Sequence, residues 1–204
     1  MIQLEPADVL CFSSGSFQSK VIRWFEERPG NPAIYNHCGI CVSPGTWWTA
    51  QIVESLLKDE KHSVASNYAG STTKVSVFRP IGLTDGQKEE IASKALSYVG
   101  GFYNFGMLPL QAADGLLGKI FRHRILFFRY LASPTLGNIC SVLVTRAYYE
   151  AVQWEFGLEP YAADPDDVGD YCENSNNEFS TVCHLVTVPS VPPSAVGPTE
   201  RGSK

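Results

Sequence analysis

The chain has 204 residues, is 44% hydrophobic and carries a net charge of −5 at neutral pH. That size and apolar content support one domain with a sizeable core, with no need for metal or disulfide bracing. The acidic balance, with no basic patch interleaved with exposed aromatics, speaks against nucleic acid as a partner. No uncharged apolar run reaches the roughly 18 residues of a membrane span. The amino terminus carries Glu5 and Asp8 and has no basic-then-apolar leader, so a cytoplasmic start is the simplest expectation. Leaderless export would leave no amino-terminal signature.

Tyr35–Val42 is a strand-like run. Alternation puts His37, Gly39 and Cys41 on one face and Cys38, Ile40 and Val42 on the other. Ser43-Pro44-Gly45 marks a turn, and Ala50–Leu57 follows as a second strand. Pairing the two as a hairpin centred between Gly45 and Thr46 sets His37 directly opposite Glu54, where a carboxylate can fix an imidazole tautomer. A slip of one residue would turn Glu54 to the other face. Trp47-Trp48 then falls at the hairpin tip, either as a substrate-facing or membrane-facing wall or as a pair at the core edge.

Residues 115–132 hold four Lys/Arg and no acid, with Leu117, Ile120, Phe121, Phe128 and Leu131 near helical spacing. Such a basic amphipathic helix lies on an anionic membrane or covers a lipid substrate; alternatively it packs in the core with its arginines solvated. The next segment, Asn138–Tyr149, reads as an amphipathic helix through Ile139, Leu143, Ala147 and Ala151, with Asn138 at the N-cap and Cys140 in the first turn. Residues 1–188 are expected to form the domain. Residues 189–204 are too polar and Pro-rich to pack and read as a disordered tail.

A thiol in the first turn of a helix meets free N–H groups and the positive end of the helix dipole, which favour its thiolate by ~0.3–1 kcal/mol and can also hold an oxyanion. That alone activates a cysteine only modestly, so the base decides the chemistry. His62 lies in the charged run Lys58-Asp59-Glu60-Lys61-His62, His123 in a basic segment and His184 near the end of the domain. His37, flanked by Gly39 and β-formers, is the best candidate. The six cysteines show no scaffold-like spacing and are read as mostly reduced. Cys38-Gly39-Ile40-Cys41 has a metal-binding form beside His37, but a strand splays positions 38 and 41 onto opposite faces and no second Cys pair follows, so no metal is expected. Asp164, Asp166, Asp167 and Asp170 lack the glycine and glutamate of a calcium loop and read as a solvated turn.

Several blocks, in order, resemble the circularly permuted papain-fold hydrolases of the NlpC type, in particular the YiiX-like group related to lecithin retinol acyltransferases. Ala7–Phe12 resembles the opening Gly-Asp-Val-Leu-x-Phe strand, and Phe17–Phe25 the helix after it. Asn36–Ile40 is similar to the Ser-His-x-Gly-Ile block and Ile52–Ser55 to the Val-x-Glu-Ala strand. Tyr103-Asn104-Phe105 resembles Tyr-Asp-Phe, Cys140–Val144 resembles Cys-Ser-Glu-Leu-Val, and Ala163–Val168 resembles Ser-Pro-x-Asp-Leu. The sequence departs from these patterns with Ala7 for Gly, Asn104 for Asp, Ile139 for an aromatic and Val142 for Glu.

The resemblance implies an α+β, permuted papain-like fold, with an antiparallel sheet or small barrel packed against helices. It implies Cys140 as nucleophile, His37 as general base and Glu54 as orienting acid, with Tyr103 or Asn104 as a second oxyanion donor and no cofactor. The expected activity is that of a thiol-dependent hydrolase, forming a thioester from a peptide-type amide or a lipid ester. The alternative is a catalytically silent papain-fold module that binds lipid or peptide, with Asn104 and Val142 as marks of decay.

Overall fold

A computed structural model describes residues 2–27, 31–56, 59–101, 107–121, 139–160 and 162–192. Six strands form one antiparallel sheet: β1 (Val9–Ser13), β2 (His37–Ser43), β3 (Gln51–Ser55), β4 (Asp59–Ser63), β5 (Lys74–Pro80) and β6 (Phe179–Thr187), in the spatial order β4-β3-β2-β1-β5-β6. Six helices are described: α1 (Phe17–Glu26), α2 (Val64–Tyr68), α3 (Asp85–Ser97), α4 (Met107–Phe121), α5 (Cys140–Val152) and α6 (Pro165–Asn174). The α+β class and the antiparallel sheet are as expected. Among the described residues, no helix is long and apolar enough to cross a membrane.

The central strands bury both faces. Val9, Cys11, Cys38, Ile40, Val53 and Phe78 pack with Ile91 and Ala95 of α3, Leu143, Val144, Ala147 and Tyr148 of α5, and Val168 and Cys172 of α6. Leu10, Phe12, Cys41, Ile52, Val75 and Val77 form a second cluster with Trp47, Val64 and Ala65. Each fully buried Leu or Val contributes about 1.5–3 kcal/mol, so α5 is fixed on the sheet by its apolar face. Tyr148 adds a hydrogen bond from its hydroxyl to the Ala7 carbonyl. Trp47 is buried in the second cluster with Trp48 packed against it, which places the tryptophan pair at the core edge.

Two expectations need correction. The β2–β3 register pairs Gly39, not His37, with Glu54, because Ser43 pairs with Gln51 across a bulge and the tip loop is pinned by the Leu4–Gly45 bridge. The shift is two residues. Side chains alternate with period two, so His37 and Glu54 stay on a common face and meet diagonally. The four aspartates do not form a solvated turn. Asp164 is the N-cap of α6 and shares a capping box with Asp167, Pro165 opens the helix, and Asp166 accepts from the Ile34 and Tyr35 N–H groups at 2.7 and 3.1 Å. Asp170 accepts from Asn31 at 2.6 Å.

The basic segment is described only as far as Phe121. There α4 leaves Leu116, Ile120 and Phe121 exposed, while residues 122–132 lie outside the described part. Residues 193–204 of the expected tail also lie outside it. Val188, the last residue of the expected domain, is buried and accepts from Gly70 N–H at 3.1 Å.

Candidate active site

His37 opens β2, and the two residues before it are tied down. The Tyr35 N–H is held by Asp166, and the Asn36 side chain accepts from Ser14 N–H at 2.8 Å while its own N–H donates to Phe12 O at 3.0 Å. The His37 ring is therefore held at the end of the sheet, 5.5 Å from the Phe12 ring centroid. Its Nε2 lies 2.5 Å from Glu54 Oε2. Gly39 makes room for this contact: a Cβ there would lie 3.1 Å from Val53 O and 3.4 Å from Glu54 Cγ. The carboxylate stem passes over the glycine to reach the imidazole one pleat away.

Glu54 is fully buried and has two further partners. Tyr68 donates its hydroxyl to Oε2 at 2.7 Å, and His62 Nε2 lies 2.5 Å from Oε1. Burial pushes the Glu54 carboxyl up, but the hydrogen bonds and charges of His37 and His62 outweigh it and bring it down to about 2. Tyr68 stacks on Phe12 with centroids 4.4 Å apart.

Cys140 is the first residue of α5. The N-cap is Ile139, one position after the Asn138 expected there, and no side chain among the described residues caps the helix. Residue 138 itself lies outside the described part. First-turn N–H groups left without a side-chain cap are suited to an anion. The Cys140 thiol meets both His37 and Cys38. A hydrogen bond from the Cys38 thiol, the His37 charge and hydrogen bond, and the Cys38 backbone together hold Cys140 well below the ordinary thiol range, against the opposing effect of burial. Burial pulls the His37 imidazole down, but the facing Cys140 sulfur and Glu54 raise it to about 10. Cys38 itself is pushed well up, by burial and by the Cys140 charge. The arrangement favours a thiolate–imidazolium pair at neutral pH.

The fold is similar to that of YiiX. The crystal structure of that protein, described as metalloprotein yiiX from Escherichia coli O157:H7, superposes with a TM-score of 0.58 at 17% identity, covering 88% of this chain and 96% of that one. At that identity the likeness concerns the fold. No protein-family profile and no curated protein matches the sequence.

The structure thus brings together Cys140, His37 and Glu54. Tyr103 and Asn104, the expected second oxyanion donors, lie outside the described residues. Three members of the site were not anticipated: Cys38, His62 and Tyr68. Cys38 was placed on the face away from His37, and it does pack toward the helices, where the start of α5 meets it. His62 reaches the site through the pairing of β4 with β3. With Glu54 paired to Glu60, position 62 returns to the same face one pleat on. Tyr68, on a five-residue helix, had no readable signal. All six cysteines are free.

Proposed function

We propose that this chain is a cysteine hydrolase of permuted papain-like architecture, attacking an amide or lipid ester carbonyl through Cys140. The observation that carries the reading is the contact of Cys140, at the N-terminus of α5, with an imidazole whose far nitrogen is held by a buried carboxylate. The order of the parts, His37 and Glu54 on early strands and Cys140 on a late helix, supports the permuted architecture.

In this mechanism His37 holds the Cys140 proton, with Nε2 bound to Glu54 and Nδ1 left for the sulfur. The thiolate adds to the carbonyl carbon, the C=O electron pair moves to oxygen, and the N–H groups at the start of α5 hold that oxyanion. Collapse expels the amine or alkoxide, which takes the proton from His37. Water then gives a proton to the neutral imidazole and attacks the thioester, and the thiolate leaves as the acid forms. Glu54 keeps the ring oriented throughout and stabilises its protonated form.

The YiiX neighbour is described as a metalloprotein. Among the described residues of this chain, no group of three or more His, Cys, Asp and Glu side chains is arranged to hold a metal ion, and Cys38 and Cys41 belong to clusters on opposite sheet faces.

The exposed apolar residues of α4 favour a lipid ester over a peptide. Ile120 and Phe121 are 63% and 59% exposed, next to the half-exposed Trp24 of α1, over whose ring Lys119 Nζ sits at 4.0 Å. Apolar side chains beside a cation suit an anionic lipid surface.

The test is acyl-enzyme capture. The full chain is incubated with activated esters of short and long acyl chains and with peptide amides, quenched in acid, and weighed intact. The expected result is an acyl adduct that maps to Cys140, with long chains favoured, and neither adduct nor turnover in Cys140→Ala. Turnover retained by folded Cys140→Ala would overturn the reading.

A further inference from the structure

The orienting acid of a thiol–imidazole pair needs one imidazole, and Glu54 has two. It lies on β3, between His37 on β2 and His62 on β4, with the two Nε2 atoms each 2.5 Å from a different carboxylate oxygen. His62 is also fixed at its other end. Its Nδ1 lies 2.8 Å from the Ser63 carbonyl oxygen, and Ser66 Oγ, which donates to that same carbonyl at 2.7 Å, is 3.2 Å from Nδ1. Asn67 Nδ2 closes the ring's edge at 3.1 Å from Nε2. The carboxylate and the backbone carbonyl only accept and lie closer than the Asn67 amide, which as a donor would need a bare Nε2, so the two nearest partners favour a proton on both nitrogens.

We propose that His62 is a positioning residue: an imidazolium that shares Glu54 with His37, keeps the carboxylate ionised and aimed, and limits how strongly it holds the His37 proton. The inference rests on the reading of Cys140, His37 and Glu54 as the reacting set. A carboxylate acting on His37 alone would make the imidazolium reluctant to give its proton to a leaving group. Sharing the carboxylate with a second cation weakens that hold. The direction at His62 agrees: burial lowers its affinity for a proton, and the Glu54 hydrogen bond and charge raise it above the usual range. The other titratable groups around the pair are Tyr68 on α2, whose phenol burial and Glu54 keep protonated, Glu60 beside His62 on β4, and, beyond His37, Cys140 on α5 with its neighbour Cys38.

The experiment follows the histidine ring signals by NMR against pH in the full chain carrying Cys140→Ala. That background removes the sulfur that raises His37 and brings its titration into reach. Two variants are compared in it, His62→Gln, which keeps a donor without charge, and His62→Lys, which keeps the charge. Two cations bridged by one carboxylate shift each other by about 1–2 pH units at an effective dielectric of ~20–40. The expected result is a rise of that size at His37 in His62→Gln, reversed in His62→Lys. Without any change at position 62, His37 and His62 should also titrate as a coupled pair, with two-step curves. Independent one-step curves, or a His37 midpoint unmoved in His62→Gln, would overturn the proposal. The readout needs no substrate, so it stands apart from the hydrolase reading, whose failure would appear as absent acyl capture at Cys140.

Discussion

The ionised pair at Cys140 has a consequence that can be measured without a substrate. In the wild type, the causes that hold the thiol well below its usual range, together with a His37 raised to about 10, favour a thiolate at Cys140 and a protonated His37 in the neutral region. Alkylation by an uncharged reagent should therefore proceed at a constant rate between about pH 6 and 8. His37→Ala removes the imidazole charge and its hydrogen bond, leaving only the Cys38 hydrogen bonds to oppose burial, so the thiol moves up. Its thiolate fraction, and with it the rate, should fall roughly tenfold per pH unit, or about 100-fold from pH 8 to 6. The slope is the useful quantity, because a thiolate of lower pKa is also intrinsically less nucleophilic, and absolute rates would mix the two effects. Peptide mass spectrometry after timed quenching reads each cysteine separately. Four of the others serve as internal controls, since burial raises Cys11, Cys41, Cys172 and Cys183. A wild-type Cys140 rate that itself falls tenfold per unit across this window would refute the ion pair.

Three further outcomes follow from the same contacts. Cys38→Ala removes the thiol hydrogen bond to Cys140, so the low-pH edge of the alkylation plateau should move upward while His37 still sustains a plateau; an unmoved edge would deny Cys38 a role. Gly39→Ala puts a Cβ 3.1 Å from Val53 O and 3.4 Å from Glu54 Cγ. It should cost about 1–3 kcal/mol in denaturant unfolding and move the Glu54 stem, with a matching loss of turnover. Arg79→Met leaves Asp8, which is fully buried and receives Arg79 Nε and Nη2 at 2.9 and 2.8 Å, without its cation. A loss of about 3–5 kcal/mol is expected at neutral pH, and a loss under 1 kcal/mol would contradict the burial of that pair.

What the sequence could show depended on whether each feature follows from periodicity along one element or from the way two elements meet. The helix of Cys140 was legible because Leu143, Ala147 and their neighbours recur at helical spacing and bury against the sheet. The partnership of His37 with Glu54 survived an error in the hairpin register because the pairs from Gly39–Glu54 to Cys41–Ile52 are displaced by two residues, and a two-residue shift preserves faces. β4 was missed for the opposite reason. As an edge strand it carries Asp59, Glu60, Lys61 and His62, a composition that protects an open edge and erases the apolar alternation by which strands are recognised. Once that strand is paired to β3, the histidine dismissed as part of a charged run becomes the second imidazole on Glu54. Ala7 makes the same point in the backbone. It stands where the resembling family has glycine, and its φ of 69° lies in the left-handed region that favours glycine. The conformation is held from outside: Ala7 N–H donates to the Cys41 carbonyl at 2.9 Å and its own carbonyl accepts from Tyr148 of α5. The segment that leads into β1 is thus tied both to β2, which carries His37, and to α5, which carries Cys140, and the spacing between those two residues depends on a contact that no local pattern encodes.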